Sequence, residues 1–362
     1  MAYSIKLPGK YVQGAGELKN LGLNVKKLGN KFFILCTPNN QKRVGAVIEE
    51  SLKSVEKEYV FCDFGGACTK AEIARVMEEY QASGCDAVVG VGGGTAVDTA
   101  KAVSENLGGL PLIIVPTVAS NDAPCSGVAV IYNEEGVVIK SLMLRRNPDL
   151  VLVDTAVVAA APKRLFAAGV GDALATWFET RACRASGAKN MAHGKCTNTA
   201  YMMSRLCYDL LMENGSEALR SVEAGEPSEA LENVVEAGIL LSGVGFESGG
   251  LAVAHAVNDS LALLPQVHGM YHGEKVAFGL MVQLVLEGEN PEELPRVLAF
   301  LKEMGLPVTL AELGITDPTE EDLRKVAEAA VSPKQFSKNL RADITADEMV
   351  AAIRRADEIG RA

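Results

Sequence analysis

Two clusters of side chains in this sequence have the types and settings for chemistry. The first is a carboxylate with histidines. Asp172 lies in AAGVGDALATWFE, a helical apolar pattern that offers a charge no solvent-facing position. A buried aspartate must be paired, protonated or metal-bound. The chain has only four histidines: His193 in MAHGK, His255 in GGLAVAHAVND, His268 in a loop, and His272 opening HGEKVAFG at a helix start. A lone histidine on an apolar helix, such as His255, fits a hydrogen-bonded core residue. One carboxylate and two imidazoles on separate helices of one bundle can also form a three-ligand metal site, with positions left for water or substrate. Spacing leaves both readings open, because Asp172 and His255 are far apart in the chain.

The second cluster surrounds Ala87–Lys101, AVVGVGGGTAVDTAK. An apolar run ends in Gly90, Gly92, Gly93 and Gly94, and a small-residue helical pattern follows. This is a buried strand, a turn free of side chains and a helix start, where backbone N–H groups can approach a diphosphate. The pattern is neither a Walker loop nor a GxGxxG fingerprint, and a plain strand–helix turn fits it equally. Behind the next apolar run comes PTVASNDAPCS, residues 116–126. It falls at the carboxyl edge, where open α/β sheets bind ligands, and its hydroxyls and Asp122 suit ribose or polyol hydrogen bonding. An ordinary polar turn with Asp122 as a cap is the alternative.

The elements that must position these residues come in two kinds. Lys31–Cys36, Tyr59–Cys62, Ala87–Gly92 and Leu110–Val115 read as strands, with helical stripes between them at Gln41–Lys57, after a Thr69 cap, and after Gly94. That alternation predicts a parallel sheet with helices on both faces. Val128, Val130 and Tyr132, a turn at Asn133–Gly136, then Val137 and Ile139 predict an antiparallel ribbon. Leu150–Val153 is a further strand. Beyond it the periodicity is helical, at Phe166–Ala185, Met191–Met212, Leu231–Leu241, Leu251–Leu263, Glu274–Leu286 and in the tail. The expected division is an α/β domain over residues 1–161 and an all-α domain over 162–362.

At 362 residues, two cores of good size are affordable. The net charge of −11 disfavours a general nucleic-acid binder, and no apolar run reaches membrane-spanning length. The start, MAYSIKLPGKYVQG, lacks the apolar core and cleavage pattern of a signal peptide. Eight cysteines without CxxC spacing read as reduced and buried, which suits a cytoplasmic protein.

GVGGGTAVDTAK, PTVASNDAPCS, GVGDALATWFE, GFESGGLAVAHAV and HGEKVAFG occur in that order, and together they make the chain resemble the glycerol dehydrogenases. These are metal-dependent polyol dehydrogenases of the iron-containing alcohol dehydrogenase superfamily. The resemblance covers nearly the whole chain, and it implies a dehydroquinate synthase-like nicotinamide-binding domain followed by a helical metal-binding domain. Carried over residue by residue, it implies Asp172, His255 and His272 as ligands of a divalent metal, usually Zn2+. Thr37, Gly92, Gly93, Gly94, Thr95, Asp98, Thr117, Ser120, Ser126, Val128 and Tyr132 fall at the cofactor positions, and Asp122 at the carboxylate beside the polyol. It also implies a homo-oligomer, commonly an octamer.

The chain departs from the family pattern at five places. Thr95 replaces a lysine near the cofactor phosphates, and Asn121 changes the segment beside Asp122. Asn258 replaces a second histidine, and KQFSKN at 334–339 removes another. Lastly, Thr37 stands where the family places an aspartate against the adenosine ribose, with Lys42 and Arg43 close behind. A neutral residue there with cations nearby would admit NADP beside NAD; Lys42 and Arg43 as plain solvated helix residues is the alternative. The expected activity is reversible hydride transfer between a small vicinal diol, glycerol-like, and NAD(P), giving the hydroxyketone, with Asp122 and His255 in catalytic positions. Two alternatives stand beside it. One is a dehydrogenase for another 1,2-diol, amino alcohol or 2-hydroxy acid; the other is a nucleotide-binding protein that has lost turnover.

Overall fold

A computed structural model of the chain describes residues 2–134, 136 and 138–362. Its first half is built on a six-stranded sheet of β1 (Tyr11–Gly14), β2 (Lys31–Cys36), β3 (Glu58–Asp63), β4 (Ala87–Gly92), β5 (Leu112–Pro116) and β8 (Leu150–Asp154). The strand order is β1-β8-β5-β4-β2-β3, and every neighbouring pair is parallel. Strands covered on both faces need near-continuous apolar runs. AVVGVG in β4 and LIIVP in β5 meet that need and are buried at every residue.

The connecting helices are α1 (Leu21–Val25), α2 (Pro38–Lys53), α3 (Lys70–Ser83), α4 (Gly94–Asn106) and α5 (Thr155–Ala159). Thr37 caps α2 by accepting from the Asn40 amide, with Pro38 at the first helical position, and Thr69 caps α3 in the same way. One face of the sheet (Phe32, Ile34, Cys36, Val89, Val91) packs on Val44, Ile48 and Leu52 of α2. The other face takes α4, and Gly90 makes room for it: a Cβ there would stand 2.6 Å from Ala100 Cβ. Thus α2 leaves β2 on one face while α4 leaves the adjacent β4 on the other. That reversal is a topological switch point, where open α/β sheets hold ligands.

The expected ribbon is present as β6 (Val128–Tyr132) and β7 (Val138–Met143), which pair antiparallel with an irregularity at Ile131/Tyr132. Val137, read as part of the ribbon, lies outside the described residues.

The later helices are α6 (Lys163–Ser186), α7 (Asn198–Ala224), α8 (Glu229–Val235), α9 (Ser242–Gly249), α10 (Val253–Leu261), α11 (His272–Leu286), α12 (Glu293–Glu303), α13 (Glu320–Ala330) and α14 (Ala346–Arg361). Two readings of the sequence are corrected. The helix expected from Met191 starts only at Asn198, because Asn190 ties the preceding residues into a loop. Its side chain accepts from the Gly194 amide at 2.9 Å and donates to the Ser4 and Ser248 carbonyls at 2.9 and 2.6 Å. The helix expected at Leu231–Leu241 does not end there. It passes through a π-helical turn at Glu236–Leu241 and runs on as α9.

The chain forms two compact units. One comprises Lys6–Pro162 and Arg220–Gly243; the other comprises residues 2–5, Lys163–Leu219 and Val244–Ala362. Two segments therefore cross a single cut after residue 161. Gln13 on β1 holds the Glu232 carbonyl and carboxylate at 2.9 and 2.6 Å, which keeps α8 with the sheet. In the helical unit, Lys195 bonds the backbone at Ala2 and Ser4. Among the described residues no single helix is long and apolar enough to cross a membrane, and all eight cysteines are free thiols.

Candidate functional site

Glycine contacts set the framework of the helical unit's site. Asp172 sits on α6 and His272 opens α11, and the two helices meet at Gly171 and Gly273. A Cβ on Gly171 would lie 2.7 Å from the Gly273 carbonyl oxygen, and one on Gly273 would overlap the Ala168 carbonyl. Gly279 lets α11 approach α10, since a Cβ there would overlap the Ala254 carbonyl, beside His255. Bare backbone at these crossings brings three distant residues together.

Asp172 is fully buried. Its Oδ1 lies 3.1 Å from His272 Nε2 and 3.4 Å from His255 Nε2. One ligand atom from each residue falls within 4.8 Å of the others, and His272 keeps 42% of its side chain exposed. Burial pushes the Asp172 carboxyl pKa up, but His272 and His255 outweigh it and hold the group well below its usual range.

A residue that the sequence reading passed over completes the arrangement. Glu179, fully buried, is seven residues beyond Asp172, two turns along the same helix. Its Oε2 lies 2.6 Å from His255 Nδ1, and its Oε1 accepts from the amides of Ala252 at 2.8 Å and His255 at 3.0 Å. An ionised carboxylate only accepts, so Nδ1 carries a proton toward Glu179, and Nε2, on the Asp172 side, is the nitrogen that a bound cation would take in place of a proton. This is the outer support that metal-bound histidines characteristically have. Burial would lower the His255 pKa, but Glu179 and Asp172 raise it well above its ordinary value. Two fully buried carboxylates on one imidazole call for a cation. The donor set, one carboxylate oxygen and two imidazole nitrogens with an exposed side, fits a divalent metal.

In the α/β unit, the register places Cys36 beside Val91 and Gly92 beside Pro116. Thr37, Gly92–Gly94 and Thr117 therefore share the carboxyl edge at the switch point. Thr117 Oγ1 donates to Asn40 Oδ1 at 3.4 Å, and its amide bonds the Gly92 carbonyl at 3.1 Å. Side chains have little room at this turn. A Cβ on Gly92 would meet Ala96 Cβ at 2.8 Å, and one on Gly94 would overlap the Asn121 amide group. Thr95 Oγ1 contacts the Gly66 carbonyl at 3.4 Å.

Asp98, Ser126 and Val128 are joined through Lys101, a second residue given no role by the sequence reading. Lys101 is fully buried, and its Nζ donates to the carbonyls of Ala123 at 2.5 Å and Val128 at 2.7 Å and to Ser126 Oγ at 3.1 Å. Asp98 Oδ1 lies 3.5 Å from it, and Asp98 Oδ2 accepts from the Val130 amide. A lysine in a small-residue helix, three residues after an aspartate, was the available signal. Tyr132 donates its amide to the Cys68 carbonyl, and Ser120 is half-buried in the loop after β5. Asp122, also in that loop, is buried and accepts from Ser242 Oγ at 2.7 Å. Its side chain does not cap the following turn.

Residues 8–155 match the iron-containing alcohol dehydrogenase family. Over 99% of its length the chain is 45% identical to a glycerol dehydrogenase of Escherichia coli O6:H1, covering 97% of that protein. It is 41% identical to a glycolaldehyde reductase of Halobacterium salinarum, over 100% of this chain and 99% of that one. The crystal structure of a probable glycerol dehydrogenase from Sinorhizobium meliloti 1021 superposes with a TM-score of 0.93 at 41% identity, covering 99% of each chain.

Proposed function

We propose that this chain, which belongs to the glycerol dehydrogenases of the iron-containing alcohol dehydrogenase family, interconverts a small glycerol-like diol and its hydroxyketone. The observation that carries this reading is the meeting of Asp172, His255 and His272, with Glu179 fixing the His255 tautomer. These three residues would hold the divalent ion. When bound, the ion supplies Lewis acidity, which lowers the pKa of a coordinated hydroxyl. NAD supplies the hydride acceptor. Thr37, Gly92, Gly93, Gly94, Thr95, Asp98, Thr117, Ser120, Ser126, Val128 and Tyr132 would form its site, with the bare turn admitting the diphosphate to backbone N–H groups.

The protein's own part is orientation. Asp122 would accept a hydrogen bond from the hydroxyl next to the reacting one, which selects diols over simple alcohols. Lys101 would keep the segment from Ala123 to Val128 in one conformation. The half-exposed His272 leaves the ligand group open to an incoming oxygen. Two imidazoles and a carboxylate with an open side are the donors of catalytic zinc, and zinc is the ion we assign; ferrous iron takes the same donors. Thr37 places no carboxylate at the end of β2 to repel a 2′-phosphate, so NADPH is accepted as well. We further assign a homo-oligomeric state, and a cytoplasmic location that suits the eight free thiols.

The test is turnover of glycerol and related diols followed by cofactor absorbance, in protein stripped by a chelator and then restored with zinc or ferrous iron. Loss on stripping, with dinucleotide binding retained and activity returned by zinc, is expected. Full activity in verified metal-free protein would refute the reading.

A further inference from the structure

Ser242 sits directly on Asp122. The run from α8 to α9 is interrupted by the π-helical turn at Glu236–Leu241, and Ser242 is the first residue after it. Such a turn inserts one residue into the helical register and rotates everything beyond it by about 100°. Ser242 is fully buried, and its hydroxyl donates to Asp122 Oδ2 at 2.7 Å. The next residue permits the approach: a Cβ on Gly243 would stand 2.8 Å from the Asp122 carbonyl oxygen and 3.0 Å from Cys125 Cβ. The helix therefore touches the loop with bare backbone and with one hydroxyl aimed at one carboxylate oxygen.

We propose that Ser242 is a positioning residue for substrate recognition: it fixes the carboxylate plane of Asp122 so that this group can accept a hydrogen bond from the second hydroxyl of a diol. The inference rests on the reading of Asp122 as the residue that holds that hydroxyl. A carboxylate on a short loop can rotate about its side-chain bonds, and a buried charge-assisted hydrogen bond is strong enough to select one orientation. The π-helical turn is the backbone device that points the hydroxyl there, and such turns recur at functional sites.

The experiment compares steady-state kinetics of the metal-loaded full chain with glycerol and with propan-2-ol, which lacks a second hydroxyl. Ser242→Ala removes the donor, so the KM for glycerol rises about tenfold or more while kcat changes less. The KM for propan-2-ol stays within about twofold, since that substrate makes no use of Asp122. Ser242→Thr keeps the hydroxyl and restores most of the glycerol affinity. Ser242→Cys, nearly isosteric and a weak donor, carries the same expectation as alanine should the alanine variant not fold. In an Asp122→Asn background, Ser242→Ala adds little further effect, because its route to substrate is already gone. An unchanged glycerol KM in Ser242→Ala, with Asp122→Asn strongly impaired, overturns the inference and leaves the Asp122 reading intact. Equal losses on both substrates also overturn it, marking Ser242 as structural. An Asp122→Asn enzyme with normal discrimination between the two alcohols overturns the Asp122 reading itself.

Discussion

Glu179→Gln is the sharpest single-residue perturbation of the metal site. The substitution keeps volume and removes one buried charge. In the native arrangement Oε1 accepts from two backbone amides, at 2.8 and 3.0 Å, while Oε2 faces His255 Nδ1 at 2.6 Å. A glutamine that keeps its carbonyl on the two amides must present its NH2 group to Nδ1. Nδ1 then has to accept, and the ring proton moves to Nε2, the nitrogen 3.4 Å from Asp172 Oδ1. The lone pair required for metal is lost. The opposite rotamer sets the NH2 group against two N–H donors. Loss of such outer support typically costs 10–100-fold in metal affinity, about 1.4–2.7 kcal/mol. Competition titration of zinc against a chelating dye measures this, with a thermal melt to show the fold intact. Native zinc affinity in a folded Glu179→Gln protein would refute the claim that Glu179 sets the imidazole.

Three further perturbations separate the remaining parts. Gly273→Ala drives a methyl into the Ala168 carbonyl, so α11 must lift from α6 and carry His272 off Asp172; denaturant titration should show a loss of about 1–3 kcal/mol, with weakened zinc binding. Lys101→Met leaves the carbonyls of Ala123 and Val128 without their buried cation; equilibrium unfolding should report a loss of about 3–5 kcal/mol, and the KM for NAD should rise. Thr37→Asp retains a helix-capping oxygen while adding negative charge at the end of β2; kcat/KM for NADPH should fall by about tenfold or more, with NADH changed far less.

Much of this was readable from residues. Continuous apolar runs announced β2, β4 and β5, and the glycine turn after β4 marked the switch point before any strand order was known. Asp172 was conspicuous as a charge without an exit to solvent. Its convergence with His255 and His272 came from resemblance, since spacing does not encode how three helices cross. Glu179 was within reach, because seven residues bring a helical side chain back to the same face. Ser242 gave no signal, because a π-helical turn changes the facing of every later residue while leaving the apolar pattern helical. β1 escaped because four half-buried residues form no apolar run. The loop before α7 was misread for a related reason: Asn190 fastens it with side-chain bonds that periodicity does not register.

The most direct measurement is anomalous diffraction at the zinc edge from crystals of zinc-loaded protein. A single strong peak within coordinating distance of the Asp172 carboxylate, His255 Nε2 and His272 Nε2, abolished in His255→Ala, is the result expected. A turning-over, zinc-saturated enzyme whose peak lies away from these three side chains would contradict the account at its centre.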